Sequence, residues 1–102
     1  MIYRMRTYKA IKEKLGLFHE YFSKYLLTIH LKHGTRLIGR WETEDGRVVA
    51  IFEYDNKESY QRISGAIEKD PEFTKALEYR KSVDPLFDDY QDTFMVSTLA
   101  KG

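Results

Sequence analysis

The sequence predicts one α+β domain of ferredoxin-like topology, β-α-β-β-α-β, in which a four-stranded antiparallel sheet carries its helices on one face. Three observations predict it. Apolar and polar residues alternate near both ends of the chain and on either side of Asp45-Gly46, the period of a strand. Between these stretches apolar residues recur at intervals of three and four, the period of a helix. The 102 residues, 42% hydrophobic and 15% aromatic, suffice for one core, so 1–102 is read as a single domain.

Taken in order, residues 1–8 (MIYRMRTY) are strand one. From about Glu13 the spacing becomes helical, with Leu15, Phe18, Phe22, Tyr25, Leu26 and Ile29 on one stripe. Gly16 inside this helix costs about 1 kcal/mol relative to Ala, and close packing is the expected reason for it. His33-Gly34 ends the helix. Residues 35–43 (TRLIGRWET) and 47–54 (RVVAIFEY) are strands two and three, joined at Asp45-Gly46, a strong two-residue hairpin signal. Asp55 or Asn56 caps a second helix, and Asp55 has capping-box spacing with Glu58. Asp70-Pro71-Glu72 restarts that helix after Lys69, because proline is tolerated at a first helical position. Asp84-Pro85 breaks it, and residues 91–99 (QDTFMVSTL) are strand four.

With Asp45 and Gly46 as the central turn residues, Thr43 faces Val48, Trp41 faces Ala50 and Gly39 faces Phe52. Leu37, Gly39, Trp41, Val48, Ala50, Phe52 and Tyr54 then lie under the helices. The opposite face carries Ile38, Arg40, Glu42, Val49, Ile51 and Glu53, and strand one adds Arg4, Arg6 and Tyr8. This face is too apolar for water and too charged for an ordinary core. It is expected to be a homodimer contact, with Ile38, Arg40, Glu42, Val49, Ile51 and Glu53 at the interface. Arg4, Arg6, Tyr8, Arg40 and Glu53 could form the floor of a site for a small anionic or carbonyl-bearing ligand, since arginine recognises oxyanions through a rigid fork. The competing reading of the same charges is an ion-pair network that fixes register.

Lys and Arg number 17 against 16 Asp and Glu, so no strong field points to nucleic acid. Cysteine is absent, which excludes disulfides, thiolate catalysis and Cys-type zinc sites. No apolar run has the length of a membrane span, and the start lacks the continuous apolar stretch of a signal peptide, so no membrane insertion and a cytoplasmic location are expected. His19, His30 and His33 fall on the first helix or at its end; His30 and His33 have an i, i+3 spacing that could bind metal, but no carboxylate or further His falls near them in sequence to complete a site, and the three are read as capping or surface residues. No catalytic triad, phosphate-binding loop or nucleotide fingerprint is present, and no catalytic residue, metal or cofactor is assigned. Strand three also lacks the glycine pair of an RNA-binding sheet of this topology.

Several segments, in order and spacing, resemble the NIPSNAP family: Arg6-Thr7-Tyr8 leading to Lys14-Leu15 and Phe18, then His33-Gly34-x-x-Leu37-x-Gly39-x-Trp41-x-Thr43-Glu44, then Phe52-Glu53-Tyr54-Asp55, then Asp70-Pro71-Glu72. The resemblance covers roughly residues 3 to 99. It departs at Lys12-Glu13, where a Pro-Gly turn is usual, and at the tight hairpin. The resemblance implies a dimeric α/β barrel with two sheets face to face. It implies no catalytic set. The expected function is binding of a small ligand or a protein partner. The alternative is a cofactor-independent, monooxygenase-like enzyme acting on a small aromatic or carbonyl compound.

Overall fold

The computed structural model describes residues 1–99. Strand β1 (Ile2–Ala10) is followed by a helical arm made of a 3-10 turn (Lys12–Lys14), α1 (Leu15–Tyr21), a π-helical segment (Phe22–Leu26) and α2 (Leu27–Lys32). Then come β2 (Arg36–Glu42), β3 (Arg47–Tyr54), α3 (Lys57–Lys69), α4 (Pro71–Val83) and β4 (Phe87–Met95). The four strands form one antiparallel sheet in the order β2-β3-β1-β4, the ferredoxin-like arrangement. The fourth strand starts four residues before the expected 91 and ends at Met95, because the chain pairs with β1 as soon as it leaves Asp84-Pro85.

The core is built on β3. Val48, Ala50, Phe52 and Tyr54 alternate inward and are buried against Phe18, Phe22 and Ile29 of the arm, Ile63 and Ile67 of α3, and Leu86. Each large side chain so buried contributes roughly 1.5–3 kcal/mol. Gly16 does not serve close packing: a Cβ there would meet open space. Asn56, not Asp55, caps α3, accepting from the Ser59 amide at 2.8 Å, while Asp55 pairs with Arg36 at 2.9 Å.

The hairpin differs from expectation by one residue, and the difference decides which side chains lie under the helices. Thr43 donates its amide to the Arg47 carbonyl at 2.8 Å and accepts from the Gly46 amide at 3.1 Å. The loop is therefore three residues long, with Gly46 at φ +83° as the left-handed residue that closes it. Glu42 faces Val48, Arg40 faces Ala50 and Trp41 faces Val49. A one-residue shift exchanges the two faces of a strand, so Arg40 and Glu42 lie on the helix side and Trp41 lies on the open side, 49% exposed. An irregularity at Ile38 restores the alternation, and Leu37 faces Phe52 on the helix side. The Trp41 ring lies over Gly39, where a Cβ would collide with the indole.

The faces of β1 are likewise the reverse of expectation. Arg4 faces Phe52, Arg6 faces Ala50 and Tyr8 faces Val48, all on the helix side. Tyr3, Met5 and Thr7 share the open side with Val49, Ile51 and Glu53. Alternation fixes which residues of β1 share a face; which face is buried depends on what partners the arginines find. Among the described residues, no helix is long and apolar enough to cross a membrane.

Asp70 ties the helical layer together. It is 5% exposed, accepts from the Glu72 amide at 2.9 Å at the start of α4, and pairs with Lys32 at 2.8 Å and His33 at 2.7 Å at the end of the arm. The Lys32 ammonium, the Glu72 amide and His33 hold its carboxyl well below the ordinary carboxylate value. Because the folded value lies below the unfolded one, this stabilisation is complete above about pH 4 and is lost as pH falls below it. Asp70→Ala is expected to lower the urea midpoint at pH 7, with the gap to the unaltered chain narrowing below pH 4. Equal midpoints at pH 7 would show that the cap and the ion pairs contribute nothing.

Candidate functional site

Between the helix side of the sheet and the helices lies a half-open cavity of about 440 Å³. Its floor comes from β1 and β4, with Arg4, Arg6, Tyr8, Phe87 and Tyr90; the arm supplies Phe18, Leu26 and His30; α3 and α4 supply Tyr60, Ser64, Phe73 and Leu77. Its size is that of small-molecule sites, and its lining is shared about equally between polar groups and apolar, mostly aromatic, surface.

The polar groups are organised by one residue of β4. Asp92 faces Arg6 across the strand pair. It accepts from Arg4 in a two-point contact, Nε to Oδ1 at 2.8 Å and Nη2 to Oδ2 at 2.7 Å, and its Oδ2 lies 3.9 Å from Arg6 Nε. Burial works against the charge of Arg4, but the Asp92 carboxylate outweighs it and raises Arg4 above the usual guanidinium value. The Arg4 guanidinium also lies 5.2 Å from the Tyr60 ring. Arg6 lies against the neighbouring rings of Tyr8, at 5.3 Å, and Tyr90, at 4.8 Å, and its buried Nε has no hydrogen-bond partner among the described residues. Burial pushes the Tyr8 hydroxyl above its ordinary value, so it is a neutral donor at physiological pH.

His30 enters from the arm. Its ring stacks on Phe52 at 5.2 Å, and its Nδ1 lies 3.3 Å from Thr35 Oγ1. Burial, then the positive charges of Arg4 and Arg6, lower its value to about 4, which leaves the imidazole uncharged at neutral pH. His30 is therefore a wall of the cavity, not the surface or capping residue that its place in the sequence suggests. His33 does pair at the end of the arm, with Asp70.

The other candidates lie elsewhere. Arg40 is on the same side of the sheet but sits behind the cavity wall, 5.0 Å from the Phe18 ring and 4.5 Å from the Phe22 ring. Its Nη1 donates to His19 Nδ1 at 2.6 Å, which leaves His19 Nε2–H to donate to Glu42. Glu53 lies on the open face, where it accepts from Arg36 at 2.6 Å, and so shares no site with Arg4, Arg6 and Tyr8. Of the residues expected at an interface, Val49, Ile51 and Glu53 are on the open face and Ile38 is exposed at the strand irregularity, whereas Arg40 and Glu42 face the helices. Among the described residues, no group of three or more His, Asp or Glu gathers where it could hold a metal ion.

Asp92, Tyr90, Tyr60 and His30 were not legible as site residues. The one signal in the sequence is that Tyr90, Asp92 and Phe94 alternate, but their pairing with β1 is needed before that pattern places a carboxylate against two arginines.

Fold and cavity together define a class: a ferredoxin-like α+β domain whose helices roof a basic, aromatic-walled pocket. The sequence model of the NIPSNAP family matches residues 3–98, nearly the whole chain, and the chain belongs to that family. Among solved structures it is similar to an uncharacterised NIPSNAP domain protein from Burkholderia xenovorans, with a TM-score of 0.82, 22% identity and all of both chains covered. It is also similar to a dimeric ferredoxin-like protein from an uncultured marine organism, with a TM-score of 0.71, 20% identity, and 99% of this chain and 92% of that one covered. A protein from Nitrosomonas europaea named as a candidate antibiotic-biosynthesis monooxygenase matches with a TM-score of 0.67, 12% identity, and 97% of this chain and all of that one covered. No curated protein matches the sequence. Two solved members of the family, from Burkholderia xenovorans and Agrobacterium tumefaciens, are described as uncharacterised and of unknown function respectively.

The lowered value of His30 has a measurable sign. The unfolded imidazole takes its proton near 6.5 and the folded one near 4, so stability falls as pH drops through that window, by about 3 kcal/mol in total. Proton NMR of the His30 ring should show a midpoint near 4, and His30→Leu should flatten the stability curve between pH 6.5 and 4. A midpoint near 6.5 would place the ring in water.

Proposed function

We propose that this chain is a homodimeric domain that binds a small molecule carrying an anionic or carbonyl oxygen in the cavity beneath its helices. The observation that supports the ligand reading above all is Arg6. It is a guanidinium among aromatic rings, lining a cavity of about 440 Å³, with a single carboxylate no nearer than 3.9 Å. Removing an ion from water costs several kcal/mol unless partners replace the water, and a ligand oxygen is the partner this geometry lacks.

The dimer reading is supported by the open face. Ile38 and Trp41 are each about half exposed there, beside Met5, Val49 and Ile51. One structural relative is described as dimeric. A twofold contact between two such faces would cover these side chains without leaving an edge for further growth. The near-zero net charge and absence of cysteine support a cytoplasmic binder of small molecules over one of nucleic acid.

A second reading, a cofactor-independent enzyme of monooxygenase type, is supported by the uncharged His30 and the Tyr8 hydroxyl sharing the cavity with Arg4 and Arg6 of its floor. Binding is preferred because a base with a value near 4 removes a proton from a substrate poorly at neutral pH.

Ligand-observed NMR with small aromatic carboxylates and carbonyl compounds should detect binders, and Ser64→Trp, which fills the cavity, should weaken them at least about tenfold. Binding unaffected by Ser64→Trp would place the site elsewhere, and oxygen uptake with hydroquinone above its spontaneous rate would favour the enzyme. On dilution from micromolar concentration, emission of the sole tryptophan should shift to the red as the dimer parts, and Ile51→Lys should sediment as a monomer. A dimeric Ile51→Lys would remove the open face as the interface.

A further inference from the structure

The charges on the floor of the cavity do not balance. Three arginines line it, Arg4, Arg6 and Arg80. Arg80 is taken at the rim by Asp84, Nε to Oδ1 at 3.2 Å. Arg4 is taken by Asp92 in its two-point contact, and Arg6 approaches the same carboxylate only to 3.9 Å. Two guanidiniums against one carboxylate leave one positive charge on the floor. His30 adds none at neutral pH, with its value lowered to about 4. Glu68, the carboxylate among the residues that line the cavity, comes from α3 rather than the floor and is exposed, where water screens it.

We propose that the cavity selects monoanions, and specifically a single carboxylate on a flat unsaturated body, docked on the guanidinium of Arg6. This rests on the reading of the cavity as a ligand site and gives that ligand its class. A carboxylate matches the planar fork of arginine with two parallel bonds. The tyrosine rings at 5.3 and 4.8 Å hold the Arg6 guanidinium in place before the ligand arrives, so little ordering remains to be done on binding. Phe18, Phe73 and Phe87 line the cavity with ring surface, and Leu26 and Leu77 add apolar surface to its half-open wall. A flat aromatic or conjugated body meets those walls in offset or edge-on contact.

Selection follows from the count of one. A neutral amide of the same shape leaves the Arg6 charge uncompensated. A phosphate ester brings a second negative charge that no free cation of the floor meets, and Asp92 repels it. Discrimination is thus built from an attractive term and a repulsive one.

The experiment is isothermal titration of the full chain at pH 8 with 2-naphthoate, 2-naphthamide and 2-naphthyl phosphate, the last being a dianion at that pH. The expected result is that 2-naphthoate binds at least about tenfold more tightly than either of the others. In Arg6→Met, 2-naphthoate should fall to the level of the amide. Arg6→Lys, which keeps the charge and loses the fork, should lie between. Circular dichroism checks that each variant is folded, and the unaltered chain together with Arg6→Lys decides the matter if Arg6→Met is not. An amide that binds as well as 2-naphthoate, or a phosphate that binds more tightly, overturns the charge selection while leaving the cavity as a ligand site. A titration in which none of the three binds overturns both.

Discussion

The pairing of Asp92 with Arg4 and Arg6 is the constraint on which the helix side of this sheet depends. A strand that turns two arginines beneath a layer of helices is unfavourable by itself, because each guanidinium gives up water. Asp92, placed opposite Arg6 by the β1–β4 register, returns most of that in charge-assisted hydrogen bonds to Arg4 at 2.8 and 2.7 Å. Tyr60 lies 5.2 Å from the Arg4 guanidinium, and Tyr8 and Tyr90 lie 5.3 and 4.8 Å from that of Arg6. Beside them the Val48-Ala50-Phe52 row is buried in the core, whereas the two arginines and Tyr8 line the cavity.

A second arginine shows the same physics resolved differently. Arg40 also points beneath the helices, but there the arm closes over it. Phe18 and Phe22 cover its guanidinium, and His19, held between Arg40 and Glu42, satisfies one of its nitrogens. Burial lowers its basicity without an ion pair to restore it. One end of the sheet is thus filled and the other is left open, and Phe18, in edge contact with Tyr8 at 5.1 Å, stands at the boundary between them. The π-helical segment at Phe22–Leu26 lies in the same arm, between Phe18 and His30, and Leu26 at its end reaches the cavity.

The element order was legible because it rests on local chemistry: the alternation of β3, the Asp70-Pro71 restart, the glycine at φ +98° that closes the arm. The family was legible from the spacing of those same segments, and the match over residues 3–98 bears it out. The faces were not. Asp45-Gly46 marks a turn equally well whether it supplies two residues or the last two of three, and only the Thr43 bonds to Arg47 and Gly46 decide. That single residue moved Arg40, Glu42 and Trp41 across the sheet. For β1, a rule that sends charge outward fails where a carboxylate 86 residues later in the chain meets Arg6. Long-range pairing of this kind leaves no mark on local sequence, so the cavity was expected on the wrong face and His30 was not expected in it at all.

The most direct measurement of this account is the Nε–H resonance of Arg4 and Arg6 in a nitrogen-15 labelled sample. Protons buried beneath the helices should exchange slowly with water, Arg4 should show nuclear Overhauser contacts to the Tyr60 ring, and Arg6 should show them to Tyr8 and Tyr90. Rapidly exchanging Nε protons with contacts instead to Met5 or Ile51 would put both arginines on the open face and contradict the account at its root.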